Sequence, residues 1–280
     1  MFRQSLKDNI RLRIRKYREN HWQTPVLQKV PFDIVKGHLL HAKTWHIAGY
    51  KATFDDMETK KIGNLKCDYA AAEGSRVCYF ISPLPINGNA VEEWAARYGQ
   101  NIVVITGVDW DNDLTPWTAK GVEKGDADFR GEAALLLERL RGEVMPSMER
   151  TLETPQPVER TLAGVSLSGL FAVWAWTQGN DFDNIASISG SFWYNGFTEW
   201  LGRQDLRNKT GYAYFSLGDN EGKRGNPRFS TVQEDTRIVV EIMQNNGIKA
   251  TFEPTAGTHF APMSPRIERM FAGLEQLKNK

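Results

Sequence analysis

Apolar positions along this chain fall into short continuous runs separated by stretches of helical spacing. Residues 76–83 form an apolar run rich in β-branched and aromatic side chains, closed by Pro83 and Pro85, and residues 101–106 repeat the pattern. Runs of this kind are the mark of strands buried on both faces. Shorter strand-like runs lie at 46–54 and 65–69, and others at 185–189, 212–217 and 249–253. Between them, helical spacing predicts helices over 91–98, 131–150, 231–246 and 264–277. The second of these sets Ala134, Leu137, Leu140 and Val144 on one face, and the last has a Pro265 start signal. Buried strands alternating with helices imply an α/β fold, a mostly parallel central sheet flanked by helices on both faces.

Two stretches depart from this alternation. Residues 1–36 place Phe2, Leu6, Ile10 and Ile14 four apart among basic side chains. That pattern reads as an amphipathic, basic extension docked on its own domain or on a twin subunit, so the chain parses into an extension at 1–36 and one α/β domain at 37–280. Residues 107–130 are polar, hold Trp110 and Trp117, and are longer than an ordinary connection; loops of that length are usually functional or carry hidden structure.

Bulk properties narrow the partners. The 280 residues are 41% hydrophobic and 25% charged with a net charge of +1, which favours neither nucleic acid nor acidic substrates. No run approaches the roughly 20 apolar residues of a membrane span. The amino terminus lacks a signal-peptide core, and Cys67 and Cys78 are too few for a disulfide framework, so a reduced, cytoplasmic protein is expected.

The chemistry centres on residues 160–174, where an apolar run enters Gly164-Val165-Ser166-Leu167-Ser168-Gly169 and leaves as an apolar helix. This is the form of a nucleophile elbow, in which a strained serine needs small residues two places to either side. Gly164 and Ser168 meet that need around Ser166; centring on Ser168 would put Leu170 where a small residue belongs. A serine nucleophile requires a base, and the base an orienting acid. Of the five histidines only His259 follows the elbow, in a loop after the last predicted strand. The order serine, acid, histidine fits an α/β-hydrolase. The acid belongs after the strand at 212–217, where Asp219 and Glu221 are both available; its usual distance from the strand-ending glycine in such hydrolases favours Glu221. An oxyanion hole would use the Leu167 amide and one from the loop after 76–83. Pro83 and Pro85 have no N–H, leaving Leu84, with Ser82 as the alternative.

Taken together, these segments resemble the esterase branch of the α/β-hydrolases, the group of enterochelin-esterase-like and esterase D-like serine esterases. The resemblance spans roughly residues 76–262. It rests on Ile81-Ser82-Pro83, Gly107-Val108-Asp109-Trp110, Leu114-Thr115-Pro116-Trp117 and the elbow, with Ser189-Gly190-Ser191-Phe192-Trp193-Tyr194, Ser216-Leu217-Gly218-Asp219-Asn220-Glu221 and Gly257-Thr258-His259-Phe260 following in order. It implies hydrolysis of a small-molecule ester through an acyl-serine, with no metal or organic cofactor. Trp110, Trp117, Trp193 and Tyr194 fall on loops near the expected site and would line a substrate pocket, or else fill core under those loops. Ser168 departs from the usual glycine, and the first 60 or so residues carry no matching motif. The competing readings are a non-catalytic binding protein of this fold, and an acyltransferase or thioesterase using the same three residues.

Overall fold

The computed structural model describes residues 44–47, 50–53, 57–223 and 225–279, and the chain divides into two units, Met1–Asp56 and Met57–Lys280. The amphipathic pattern of residues 1–36, and any subunit contact through it, lies outside the described residues. In the first unit β1 (Thr44–Ile47) and β2 (Tyr50–Thr53) pair antiparallel, with Ile47 opposite Tyr50.

The second unit is built on eight strands: β3 (Glu58–Ile62), β4 (Leu65–Ala70), β5 (Arg76–Ile81), β6 (Asn101–Thr106), β7 (Glu159–Val165), β8 (Asn184–Ile188), β9 (Tyr212–Gly218) and β10 (Lys249–Thr255). They lie in the order β10-β9-β8-β7-β5-β6-β4-β3; β4 runs antiparallel to both its neighbours, β3 and β6, and β5 to β10 are parallel. The edges are blunted by their own sequences. β3 exposes Lys61 among polar neighbours, and Pro254 sits in β10, where a missing N–H costs no central ladder bond.

Alternation along the strands sorts the core into two layers. Val77, Tyr79, Ile81, Val103 and Ile105 face one side, against α2 (Ala133–Arg139), a π turn at Leu140–Val144, α3 (Met145–Thr151), α4 (Leu167–Thr177) and α6 (Val232–Asn245). Cys78, Phe80, Ile102 and Val104 face the other, against α1 (Gly88–Tyr98) and α7 (Met263–Lys278). A short α5 (Phe197–Leu201) precedes α6. The helix expected over 131–150 is thus split by the π turn, and Ala134, expected on its apolar face, is exposed while Ala133 and Leu136 are buried. Cys67 and Cys78 are free, buried and in different layers. Burial pushes both thiols up, to about 11 and about 12.

The order in which strands are added reverses at β5: β6 lies on one side and β7 on the other. In open parallel sheets, such a switch point leaves a crevice beyond the carboxyl ends of the strands, where ligands bind. Ile81 at the end of β5 is in register with Gly164 near the end of β7, so the elbow emerges at that crevice.

Candidate active site

Ser166 sits between β7 and α4 with φ 59° and ψ −123°, a conformation costly for any residue with a side chain. The surrounding backbone fixes it there. The Ser166 N–H donates to the Ile188 carbonyl at 3.0 Å, and its own carbonyl accepts from Leu170 at 3.1 Å and Ser191 at 3.1 Å. Gly164 is needed for contact: a Cβ there would lie 2.5 Å from the Ser168 backbone. Ser168, the departure from the usual glycine, is wholly buried and replaces hydrogen with a useful hydroxyl. Its Oγ accepts from the Val165 N–H at 2.8 Å and is 2.8 Å from the carbonyls of Ile81 and Val165, tying the elbow to the end of β5. At Gly169 a Cβ would lie 2.5 Å from Ser187 Oγ, so that side chain would have to move.

His259 Nε2 is 3.2 Å from Ser166 Oγ, and His259 Nδ1 is 2.8 Å from Glu221 Oε2. An ionised carboxylate only accepts, so Nδ1 carries the proton and Nε2 is left as the acceptor for the serine hydroxyl. Glu221 is buried while the His259 side chain is one-third exposed. Burial alone would raise the Glu221 pKa. The hydrogen bond and charge of His259, the Ser189 hydroxyl and the Gly218 N–H together outweigh it and hold the carboxyl below its ordinary value.

Asp219, the other acid on this loop, does different work. It is exposed, and its Oδ1 accepts from the Gly257 N–H at 2.9 Å. With the Asp219 N–H on Thr255 at 2.7 Å and the Asn220 N–H on Gly257 at 2.9 Å, it staples the loop carrying His259 to the loop carrying Glu221.

The expected oxyanion donors separate likewise. Leu167 opens α4, where the first N–H groups have no partner within the helix. The Ser82 N–H is committed to the Ile105 carbonyl at 2.9 Å, which removes it as the alternative. The Leu84 N–H has only a long contact, 3.4 Å, to Ser82 Oγ, and its side chain is 70% exposed.

The four aromatic residues do not act together. Tyr194 is a core residue rather than a pocket wall: it is 1% exposed, and its hydroxyl donates to the Trp117 carbonyl at 2.5 Å. Trp110 packs against both core layers. Trp193 lies edge-on to Phe229, ring centres 4.8 Å apart, under the Arg228 guanidinium. Of the four, Trp117 lines an open depression of about 380 Å³, with Asn195, Gly196, Glu199, Trp200 and Arg203.

Three residues at the site were not singled out from sequence. Ser191 Oγ is 3.3 Å from Ser166 Oγ. Ser189, at φ 51°, donates to Glu221 Oε1. Arg266, in the first turn of α7, donates from Nη2 to Ser189 Oγ and to Glu221 Oε1, the latter at 3.3 Å. A Ser-Gly-Ser turn directly after a buried strand was a readable signal for the two serines. Arg266 gave none, because an arginine in a terminal amphipathic helix reads as solvated surface.

Residues 67–264 match the family model Esterase, described as "Putative esterase". The chain belongs to this esterase family. Over 150 residues it is 28% identical to the uncharacterized protein YbbA of Bacillus subtilis (strain 168), a match covering 52% of this chain and 60% of that protein. The siderophore hydrolase EstB from Aspergillus nidulans superposes with a TM-score of 0.57 at 18% identity, covering 77% of this chain and 93% of EstB. The enterobactin esterase FES from Shigella flexneri gives 0.53 at 14% identity, covering 76% and 54%. The fold is that of the α/β-hydrolases. Among the described residues, no helix is long and apolar enough to cross a membrane.

Proposed function

We propose that this esterase-family chain is a carboxylic ester hydrolase working through an acyl-serine, with Ser166 as nucleophile, His259 as general base and Glu221 as orienting acid. The observation that carries this reading is the continuous contact from Glu221 through His259 to a strained serine at a sheet switch point. His259 Nε2 takes the Ser166 proton as Oγ attacks the substrate carbonyl. The resulting oxyanion lies against the Leu167 amide, helped by the α4 dipole, with the Leu84 amide as second donor. His259 then delivers its proton to the leaving alcohol, and water, activated by the same imidazole, releases the acid.

The substrate is a small-molecule ester. The test is a panel of p-nitrophenyl acyl esters with matching thioesters and anilides, each run beside Ser166→Ala. Ester turnover that vanishes in the variant supports the reading; hydrolysis at the wild-type rate by Ser166→Ala overturns it.

A further inference from the structure

Arg266 occupies an expensive position. It is 3% exposed, its Nε and Nη1 have no hydrogen-bond partner among the described residues, and its charge sits at the positive end of the α7 dipole. Helix formation cannot account for it, and a buried ion pair is weak evidence for stability. What Arg266 does touch is the far side of the acid.

The proton directions there are fixed by donor inventory. Arginine only donates and an ionised carboxylate only accepts. Arg266 Nη2 therefore donates to Ser189 Oγ, and the one Ser189 proton is turned onto Glu221 Oε1. Oε1 also receives the Gly218 N–H at 2.8 Å and Arg266 Nη2 directly at 3.3 Å. With Oε1 saturated by three donors, Oε2 is the oxygen left for His259.

We infer that Arg266 is a positioning residue for the proposed acid, keeping Glu221 ionised and rotated so that Oε2 faces His259, both directly and through Ser189. This rests on the assignment of Ser166, His259 and Glu221 made above. Neither Arg266 nor Ser189 meets the substrate; both act through the carboxylate.

The experiment is a double-mutant cycle on p-nitrophenyl acetate hydrolysis, with kcat and KM measured separately. Arg266→Gln should lower kcat roughly tenfold or more with KM little changed, and Arg266→Lys, which keeps the charge, should recover part of the loss. In a Glu221→Gln background, adding Arg266→Gln should change kcat less than about twofold, because the carboxylate it serves is gone. Ser189→Ala, a smaller change, should repeat the kcat-selective loss and serves where Arg266→Gln does not fold. The inference is overturned by wild-type kcat in a folded Arg266→Gln or Ser189→Ala protein, or by losses that multiply across the cycle. Failure of the underlying assignment looks different: Ser166→Ala or Glu221→Gln would then retain full activity.

Discussion

Ser191 Oγ stands 3.3 Å from Ser166 Oγ, so the proposed nucleophile is shared between a second serine and His259 Nε2 at 3.2 Å. Ser166 has one hydroxyl proton. When that proton points to His259, Ser191 is the donor to Ser166 Oγ. Removing it in Ser191→Ala frees the nucleophile's rotamer without touching the base. kcat/KM should fall by roughly three- to tenfold, the worth of one ordinary hydrogen bond. Steady-state kinetics on a p-nitrophenyl ester check this; a loss as deep as that of Ser166→Ala would give Ser191 a direct part in the reaction.

The Glu221 carboxyl titrates below its ordinary range in the folded protein. A depressed folded pKa means that the unfolded chain binds the proton more readily, so stability rises with pH in that window. The contribution is present above the unfolded glutamate value of about 4.3 and is lost as pH falls through the lower folded value. Urea unfolding of wild type and Glu221→Gln should therefore show a stability difference that shrinks as pH drops below about 4. A difference independent of pH across that range would show that the carboxyl is not held in this way.

At the elbow, Gly164→Ala places a Cβ 2.5 Å from the Ser168 backbone, where no flexible side chain can give way. The expected cost is at least about 2 kcal/mol, together with loss of activity. Ser168→Ala removes the acceptor of the buried Val165 N–H and should cost about 1–3 kcal/mol. Denaturant melts of both variants measure these effects, and an unchanged midpoint would contradict the packing described.

The long loop at 107–131 is latched by Arg228, whose Nη1 donates to Lys120 O at 2.6 Å and Gly121 O at 3.0 Å and whose Nη2 donates to Asn195 Oδ1 at 2.7 Å. Arg228→Ala should raise amide exchange at 118–130 while leaving β5 to β8 protected. Equal protection in both proteins would mean that the loop is held by its Ala119–Phe129 bridge and core contacts instead.

Sequence made the sheet and the elbow legible because both follow from local rules. Continuous apolar runs at 76–81 and 101–106 are what doubly buried strands require, and Gly164 around a serine is what the turn requires. His259 was reachable because it is the single histidine after the elbow. Arg266 and the role of Asp219 were not legible. They depend on which atoms α7 and two loops bring together across 45 and 38 residues, respectively, and polarity alone carries no record of that. Tyr194 is ambiguous in sequence for a related reason: an aromatic side chain on a predicted loop looks the same whether it faces a crevice or, as here, fills the core beneath it.

The proposed acyl-serine mechanism depends on the reactivity of one hydroxyl. Wild-type protein and Ser166→Ala should be incubated with a fluorophosphonate probe, digested, and the modified peptide identified by mass spectrometry. One adduct on Ser166 in wild type, absent from the variant and accompanied by loss of ester hydrolysis by a factor of roughly 10³ or more, is the result predicted. An unlabelled Ser166 in wild-type protein that still hydrolyses esters would contradict it.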